Sequence, residues 1–209
     1  LTTASAPGRF ITLEGGEGVG KSTQATRLAQ ALRARGHDVI VTREPGGTAG
    51  AEAIRALVMT GNADRWGARA EALLFAAARA DHVEKVIRPA LAAGTWVICD
   101  RFVDSSRAYQ GGAGGLSDAD IMDLHRIGSS RLMPDRTILM CLAEEEAENR
   151  AESRAEGNAD RFGARDRDFH AGLKARFDRF AANEAHRFRV VDASGAPDDV
   201  TARILEAIA

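Results

Sequence analysis

Cysteine is nearly absent from this chain: Cys99 and Cys141 are the only two among 209 residues. Each sits inside an apolar run, Trp96-Val97-Ile98-Cys99 and Ile138-Leu139-Met140-Cys141-Leu142, which predicts buried free thiols rather than a disulfide framework or a metal site. The five histidines, His37, His82, His125, His170 and His186, share no ligand spacing, so no zinc site is expected. An excess of charge of one sign is also lacking. The net charge of −2 excludes a global attraction to nucleic acid or to an acidic membrane. Any anionic ligand must therefore be met by local arginine clusters. No apolar run is long enough to span a bilayer. Leu1 to Gly8 shows no basic-then-apolar signal pattern. That segment is expected to be a disordered lead-in, and the chain to be cytoplasmic. No repeat, low-complexity tract or linker divides the remainder, so residues 9–209 read as one domain.

What is present is an alternation. Short apolar runs are separated by longer helical patterns, which argues for βαβ units and a parallel sheet. The expected strands are Phe10–Glu14, Asp38–Thr42, Trp96–Cys99, Thr137–Leu142 and Arg189–Asp192. Most are too apolar for a half-exposed strand and suit a sheet covered by helices on both faces. A first helix is expected from Lys21 to Arg35, stopped by Gly36, and a long one from Arg69 to Ala92, broken or bent near Pro89. Ligands of such α/β folds sit outside the carboxyl ends of the strands. Glu14, Arg43, Asp100 and Arg101 fall at those ends.

Gly15-Gly16-Glu17-Gly18-Val19-Gly20-Lys21-Ser22 matches the whole G-x-x-x-x-G-K-[ST] pattern between an apolar run and an amphipathic segment. Four glycines in six residues let the backbone wrap an anion, with N–H groups and a helix N-terminus directed at phosphate oxygens. Lys21 is placed to reach β- and γ-phosphates, and the Ser22 hydroxyl to meet Mg²⁺. The alternative, a glycine-rich turn that binds nothing, is hard to reconcile with the complete pattern in this context. The fold expected is therefore the P-loop NTPase fold, with a five-stranded parallel sheet.

Other segments carry two readings each. Asp100 ends an apolar strand where a Walker-B-like acid helps hold Mg²⁺, and Arg101 could clamp a second phosphate; the plainer reading is a strand-end salt bridge. Thr42-Arg43-Glu44-Pro45-Gly46-Gly47-Thr48 is a sharp turn that could present Arg43 to an anion, or a tight connection and no more. Phe75 and Arg79 share a helix face, suited to stacking on a base and donating to its edge, or else a core phenylalanine beside a surface arginine. Asp104-Ser105-Ser106-Arg107-Ala108-Tyr109-Gln110-Gly111-Gly112 could line an acceptor pocket or be a helical turn with a glycine stop. Residues 150–167 hold Arg150, Arg154, Arg161, Arg165 and Arg167 against Glu152, Glu156, Asp160 and Asp166. They could form a mobile flap that closes over ATP, or a solvated helix pair laced with salt bridges.

In this order, from Phe10 onward, these segments resemble the thymidylate kinase (dTMP kinase) family. The resemblance rests on the phosphate loop, on Thr42-Arg43-Glu44-Pro45-Gly46-Gly47-Thr48, and on Asp100-Arg101 continuing to Gly112. It implies ATP + dTMP → ADP + dTDP, with ATP held by residues Gly15, Gly16, Glu17, Gly18, Val19, Gly20, Lys21, Ser22 and Thr23. Mg²⁺ would be held by Ser22 and Asp100. It implies dTMP contacts from Glu14, Arg43, Pro45, Phe75, Arg79, Arg101, Ser105, Ser106, Tyr109 and Gln110. Among these, Arg101 takes the 5′-phosphate, Phe75 stacks on thymine, and Arg79 donates to thymine O4. Tyr109 crowds the sugar 2′ position. A family catalytic arginine comes from the phosphate loop or from the lid. Gly18 stands where the loop type has arginine, so this chain resembles the lid-arginine type, with Arg154 and Arg161 as the lid candidates and Lys21 and Arg101 as the other catalytic groups. Relatives commonly carry glutamate where this chain has Gly163. A cis Glu44–Pro45 bond and a homodimer through helices near 70–92 and 118–131 are implied by the resemblance alone.

Three rivals remain at this point. Another nucleoside-monophosphate or deoxynucleoside kinase would share the loop, but a deoxynucleoside kinase needs a base for a hydroxyl. A GTPase switch lacks its Asn-Lys-x-Asp motif here. A non-catalytic ATP-binding module would have no need of Lys21, Ser22, Asp100 and Arg101 together.

Overall fold

The apolar runs form five strands in a computed structural model that describes residues 8–62, 65–113, 115–143, 146–147, 150 and 167–209. They are β1 (Phe10–Glu14), β2 (Val39–Arg43), β3 (Trp96–Asp100), β4 (Arg136–Cys141) and β5 (Phe188–Asp192). All pairings are parallel, in the order β2-β3-β1-β4-β5. The expected strands are all present, displaced by a residue or so at their ends. Every residue of β1, the central strand, is buried.

Side-chain alternation along a strand assigns each residue to a face. Ile11, Leu13, Ile98, Ile138 and Met140 pack with Leu28 and Leu32 of α1 (Lys21–Ala34) and Ile204 of α8 (Pro197–Ala207). Phe10, Val97 and Cys99 point the other way, toward Val83, Ile87 and Phe102. That face is covered by α3 (Ala68–His82), α4 (Arg88–Ala92) and α6 (Asp118–Ser129). A third cluster joins Leu139, Tyr109 and Phe188 to Leu173 and Phe177 of α7 (Arg167–Asn183). The same alternation places Glu14 on the α3 side of the sheet and Asp100 on the α1 side. Two strand ends thereby supply acids to opposite walls of one crevice.

Cys99 is buried, as expected, but Cys141 is only half-buried because it closes β4; both are free thiols. The helix over Arg69–Ala92 is not interrupted at Pro89 itself. The path widens one turn earlier, into a π-helical turn over Val83–Ile87, and Pro89 lies in the first turn of α4. A proline ring conflicts with the carbonyl four residues before it. Here that is Lys85, inside the widened turn, so the helix absorbs the conflict upstream of the proline. The segment after β3 behaves similarly: α5 (Val103–Ser106) passes into a π-helical stretch, Arg107–Ala113. α2 (Ala49–Met59) lies against α3 and completes the wall behind the Pro45 turn.

Candidate active site

The phosphate loop bridges β1 and α1, and its backbone requires its glycines. Gly15, Gly18 and Gly20 have φ of 132°, 73° and 92°. A Cβ on Gly15 would also lie 2.4 Å from the Met140 carbonyl oxygen, so the loop starts flush against β4. α1 has no side-chain cap and no acid in its first turn, which leaves its N-terminal N–H groups to an anion. Thr23 is exposed in that first turn.

Lys21 is 7% exposed and folds back over the loop, donating from Nζ to the Gly15 and Gly16 carbonyls at 3.1 and 2.5 Å. Burial, then the charge of Arg101, pushes its pKa down to about 7. Ser22 Oγ donates to Asp100 Oδ2 at 2.5 Å, so the two residues expected to meet Mg²⁺ already touch. An exposed hydroxyl and a single carboxylate form a sparse set of hard oxygens. That suits an ion which keeps most of its waters and takes its remaining ligands from phosphate. No larger cluster of metal-ligating side chains occurs among the described residues. The residues present therefore fit Mg²⁺ held together with a nucleotide.

Across the crevice Arg101 adopts φ 69°, a left-handed conformation that costs a non-glycine residue on the order of 1–3 kcal/mol. Its N–H bonds the Leu13 carbonyl at 3.0 Å, which fixes the residue at the sheet edge. Nη1 reaches the Gly15 carbonyl at 3.4 Å and Ser105 Oγ at 3.2 Å, and the guanidinium lies 5.0 Å from the centre of the Tyr109 ring. No carboxylate among the described residues hydrogen-bonds it. Glu14, fully buried, accepts from Phe102 N at 2.8 Å on one oxygen and has Ser105 Oγ 2.6 Å from the other. Burial, reinforced by Asp104, raises its pKa to about 8.

Arg79 is not the surface arginine that its spacing also allowed: it is 3% exposed. It donates to Glu44 at 2.7 Å, to Ser106 Oγ at 2.8 Å and to the Phe102 carbonyl at 3.3 Å. Phe75 packs half-buried against the cluster that contains Tyr109. Gln110 donates from Nε2 to Glu71 at 3.0 Å, which fixes its amide orientation. Pro45 is buried after a cis bond, its carbonyl accepting from Arg55 at 2.9 Å. Arg43 stands apart: it is exposed and paired with Glu52 at 3.1 Å rather than with any of these groups. Arg154, Arg161 and Gly163 lie outside the described residues, as does the expected lead-in up to residue 7.

Four residues that sequence reasoning did not single out in this role hold the pocket from behind. Asp104, fully buried, receives Arg187 at 2.7 and 2.8 Å and Arg107 at 2.9 Å. Burial alone would raise its pKa, but the hydrogen bonds and charge of Arg187, then Arg107, hold it below the usual range. Both arginines also bond Glu184, at the end of α7, at 2.6–2.7 Å. Ser105, Ser106, Tyr109 and Gln110 ride on the segment this cluster anchors. Only the unusual placement of an acid and an arginine within a buried turn could have flagged it.

The comparisons with known proteins agree with this geometry. A family model described as thymidylate kinase matches residues 13–204. A thymidylate kinase of Rhizorhabdus wittichii is 62% identical over 203 residues, covering 97% of this chain and 98% of the relative. One of Bradyrhizobium diazoefficiens is 48% identical, covering 98% and 90%. The crystal structure of thymidylate kinase from Ehrlichia chaffeensis, 29% identical, matches with a TM-score of 0.79 over 97% of this chain and 100% of that one. With a family model spanning most of its length and relatives this similar end to end, the chain belongs to the thymidylate kinase family.

Proposed function

We propose that Lys21, Arg101 and an arginine of residues 150–167, with Arg154 and Arg161 as candidates, carry the transfer of the ATP γ-phosphoryl group to dTMP. The products are dTDP and ADP, on the route to dTTP. The observation that carries this reading is the position of Arg101. It touches the phosphate loop through the Gly15 carbonyl and the acceptor wall through Ser105 and Tyr109, and no carboxylate among the described residues is hydrogen-bonded to it. A guanidinium so placed can hold an acceptor phosphate against a donor phosphate. The acceptor's second pKa is about 6, so it arrives largely ionised and needs no strong base. The barrier is the alignment of two anions.

The residues divide that work. Gly15 to Thr23 cradle the nucleotide, and the Lys21 ammonium leaves the loop carbonyls for phosphate oxygens. Ser22 and Asp100 would hold Mg²⁺, which when bound supplies positive charge to the β- and γ-oxygens. Burial keeps Glu14 a neutral acid up to about pH 8, so it adds no negative charge beside the incoming phosphate. On the base side, Phe75 supplies a ring, Arg79 a donor for thymine O4, and Ser105, Ser106, Tyr109, Gln110 and Pro45 the walls. A donor at that place suits thymine and not cytosine, which presents an amino group there. Arg43 is assigned to the rim of the acceptor site.

Residues 9–209 act as one domain, with the lid at about 150–167. The protein works as a homodimer through α3 and α6. Leu73 on α3 and Ile127 on α6 are 56% and 71% exposed, although the two helices pack together. No helix among the described residues is long and apolar enough to cross a membrane, and we place the enzyme in the cytoplasm.

An ADP-release assay with Mg·ATP, offering dTMP, dUMP, dCMP, UMP and thymidine side by side, tests the reading. Strong preference for dTMP is expected. Preference for another monophosphate would overturn the pocket assignment, and turnover of thymidine would require a base that this reading omits.

A further inference from the structure

The turn after β2 is sharper than a connection requires, and one of its residues is an acid buried where a loop acid is normally solvated. Glu44 is 5% exposed. Its Oε2 accepts from Arg79 Nε at 2.7 Å, and its Oε1 lies 3.1 Å from Nδ1 of His82. His82 is fully buried, with Nε2 2.7 Å from Thr42 Oγ1. A carboxylate paired with arginine only accepts, so His82 Nδ1 carries the hydrogen of that contact. The glycine that follows makes room for this arrangement. A Cβ on Gly47, at φ 89°, would stand 2.6 Å from both His82 Nε2 and Thr42 Oγ1. Glu44, Gly47 and Thr42 of the turn thus act together on α3, on the residues His82 and Arg79.

The consequence falls on Arg79. A guanidinium has five N–H donors. Nε donates to Glu44, and Nη2 donates to Ser106 Oγ at 2.8 Å and the Phe102 carbonyl at 3.3 Å. Only the two Nη1 hydrogens have no acceptor among the described residues. The charge of the group is also balanced, by Glu44 at 2.7 Å. What remains is a rigid pair of donors with little net charge. That serves an uncharged ligand edge bearing a carbonyl, and it repels an edge bearing an amino group.

We propose that Glu44, braced by His82 and Thr42, is the positioning residue that turns Arg79 from an anion-binding group into a fixed donor for a neutral base, and so sets selection between carbonyl- and amino-bearing pyrimidines. The inference rests on the reading that Arg79 faces the base.

The test is a double-mutant cycle of Glu44→Gln and Arg79→Ala, reading KM for dTMP, KM for ATP and the inhibition constant of dCMP against dTMP. Glu44→Gln should raise KM for dTMP ~10-fold, the loss of one well-placed hydrogen bond. KM for ATP and the dCMP constant should stay within ~2-fold, so that selectivity falls. The double variant should match Arg79→Ala within ~2-fold, because both changes break one unit. If the two effects multiply, or if Glu44→Gln leaves selectivity intact while Arg79→Ala lowers it, Glu44 does not act through Arg79 and the base-facing reading survives alone. If Arg79→Ala changes neither KM for dTMP nor selectivity, both ideas fall. Should circular dichroism show Glu44→Gln unfolded, Glu44→Asp keeps the charge but withdraws the carboxylate by one methylene. The same outcomes then apply to it.

Discussion

Arg79 and Arg101 lie on either side of the turn that begins at Phe102, and their surroundings are opposite. Arg79 is shut in, 3% exposed, with a carboxylate on Nε and two further acceptors on Nη2. Arg101 is half-buried and bonds a backbone carbonyl, a hydroxyl and the face of a tyrosine ring. The carboxyl nearest its hydroxyl partner, Glu14, is held neutral by burial up to about pH 8. The same side chain is therefore supplied to the pocket in two forms. A compensated guanidinium offers direction without charge, which suits a base. One that no carboxylate among the described residues hydrogen-bonds keeps its charge available, which suits a phosphate. The pocket sorts the two ends of a nucleotide by what stands behind each arginine.

The sharpest attempt to break this contrast removes the charged side. Arg101→Ala, and Lys21→Ala on the donor side of the same crevice, should each lower kcat by ~10³ while the fold survives, the scale of losing a group aimed at developing charge. Steady-state kinetics beside a thermal melt would read both, and near-normal turnover in either would remove the charge argument. Next in size is the frame that carries both sides. Asp104→Ala leaves Arg107 and Arg187 buried without their shared carboxylate, and breaking such a buried cluster costs ~3–5 kcal/mol. Asp118 also accepts from Arg107 Nε, at 2.7 Å. Urea titration should show a fall of that order; a loss below ~1 kcal/mol, the scale of a surface pair, would mean that Glu184 and Asp118 suffice. A smaller effect separates charge from direction. Arg101→Lys keeps a cation and should retain more kcat than Arg101→Ala. Arg79→Lys keeps the cation but loses the planar fork, and should raise KM for dTMP ~10-fold, close to the effect of Arg79→Ala. Equal tolerance of lysine at both positions would erase the distinction.

Much of this was legible in the chain. The five apolar runs gave the strands because a sheet covered on both faces leaves little room for polar residues. The phosphate loop announced itself because its chemistry is local, eight consecutive residues making one cradle. Ser22 and Asp100 were paired by function before the structure brought them to 2.5 Å. What sequence could not give is what depends on distant partners. The residues alone leave Arg79 as either a base-edge donor or a surface arginine until Glu44, 35 positions earlier, is seen against it. Asp104 meets Arg187 across 83 positions, and nothing local to either announces the pair. The widened helix at Val83–Ile87 was hidden because proline acts on the carbonyl four residues back, not at its own position. Arg43 looked equivalent to Arg101 at a strand end, but Glu52, on the following helix, takes its side chain.

The smallest effect bears on the neutral partner of Arg101. Glu14 has its pKa raised from 4.5 to about 8, burial first and Asp104 second. Between those values the folded protein keeps a proton that the unfolded chain has released. Its contribution to stability is therefore whole below 4.5 and drains away as pH rises through about 8. Glu14→Gln has no proton to lose and cannot follow that decline. The melting temperature of the wild type, minus that of the variant, should fall between about pH 5 and about pH 8, by ~2–4 °C for each kcal/mol drained in a chain of this size. Subtracting the variant removes the opposite trend of Lys21, whose depressed pKa makes stability rise with pH over the range above about 7. Parallel curves would mean that Glu14 is already ionised in the fold. Arg101 would then gain the charge of Glu14 beside those of Asp100 and Glu17, and the two sides of the pocket would differ in geometry more than in charge.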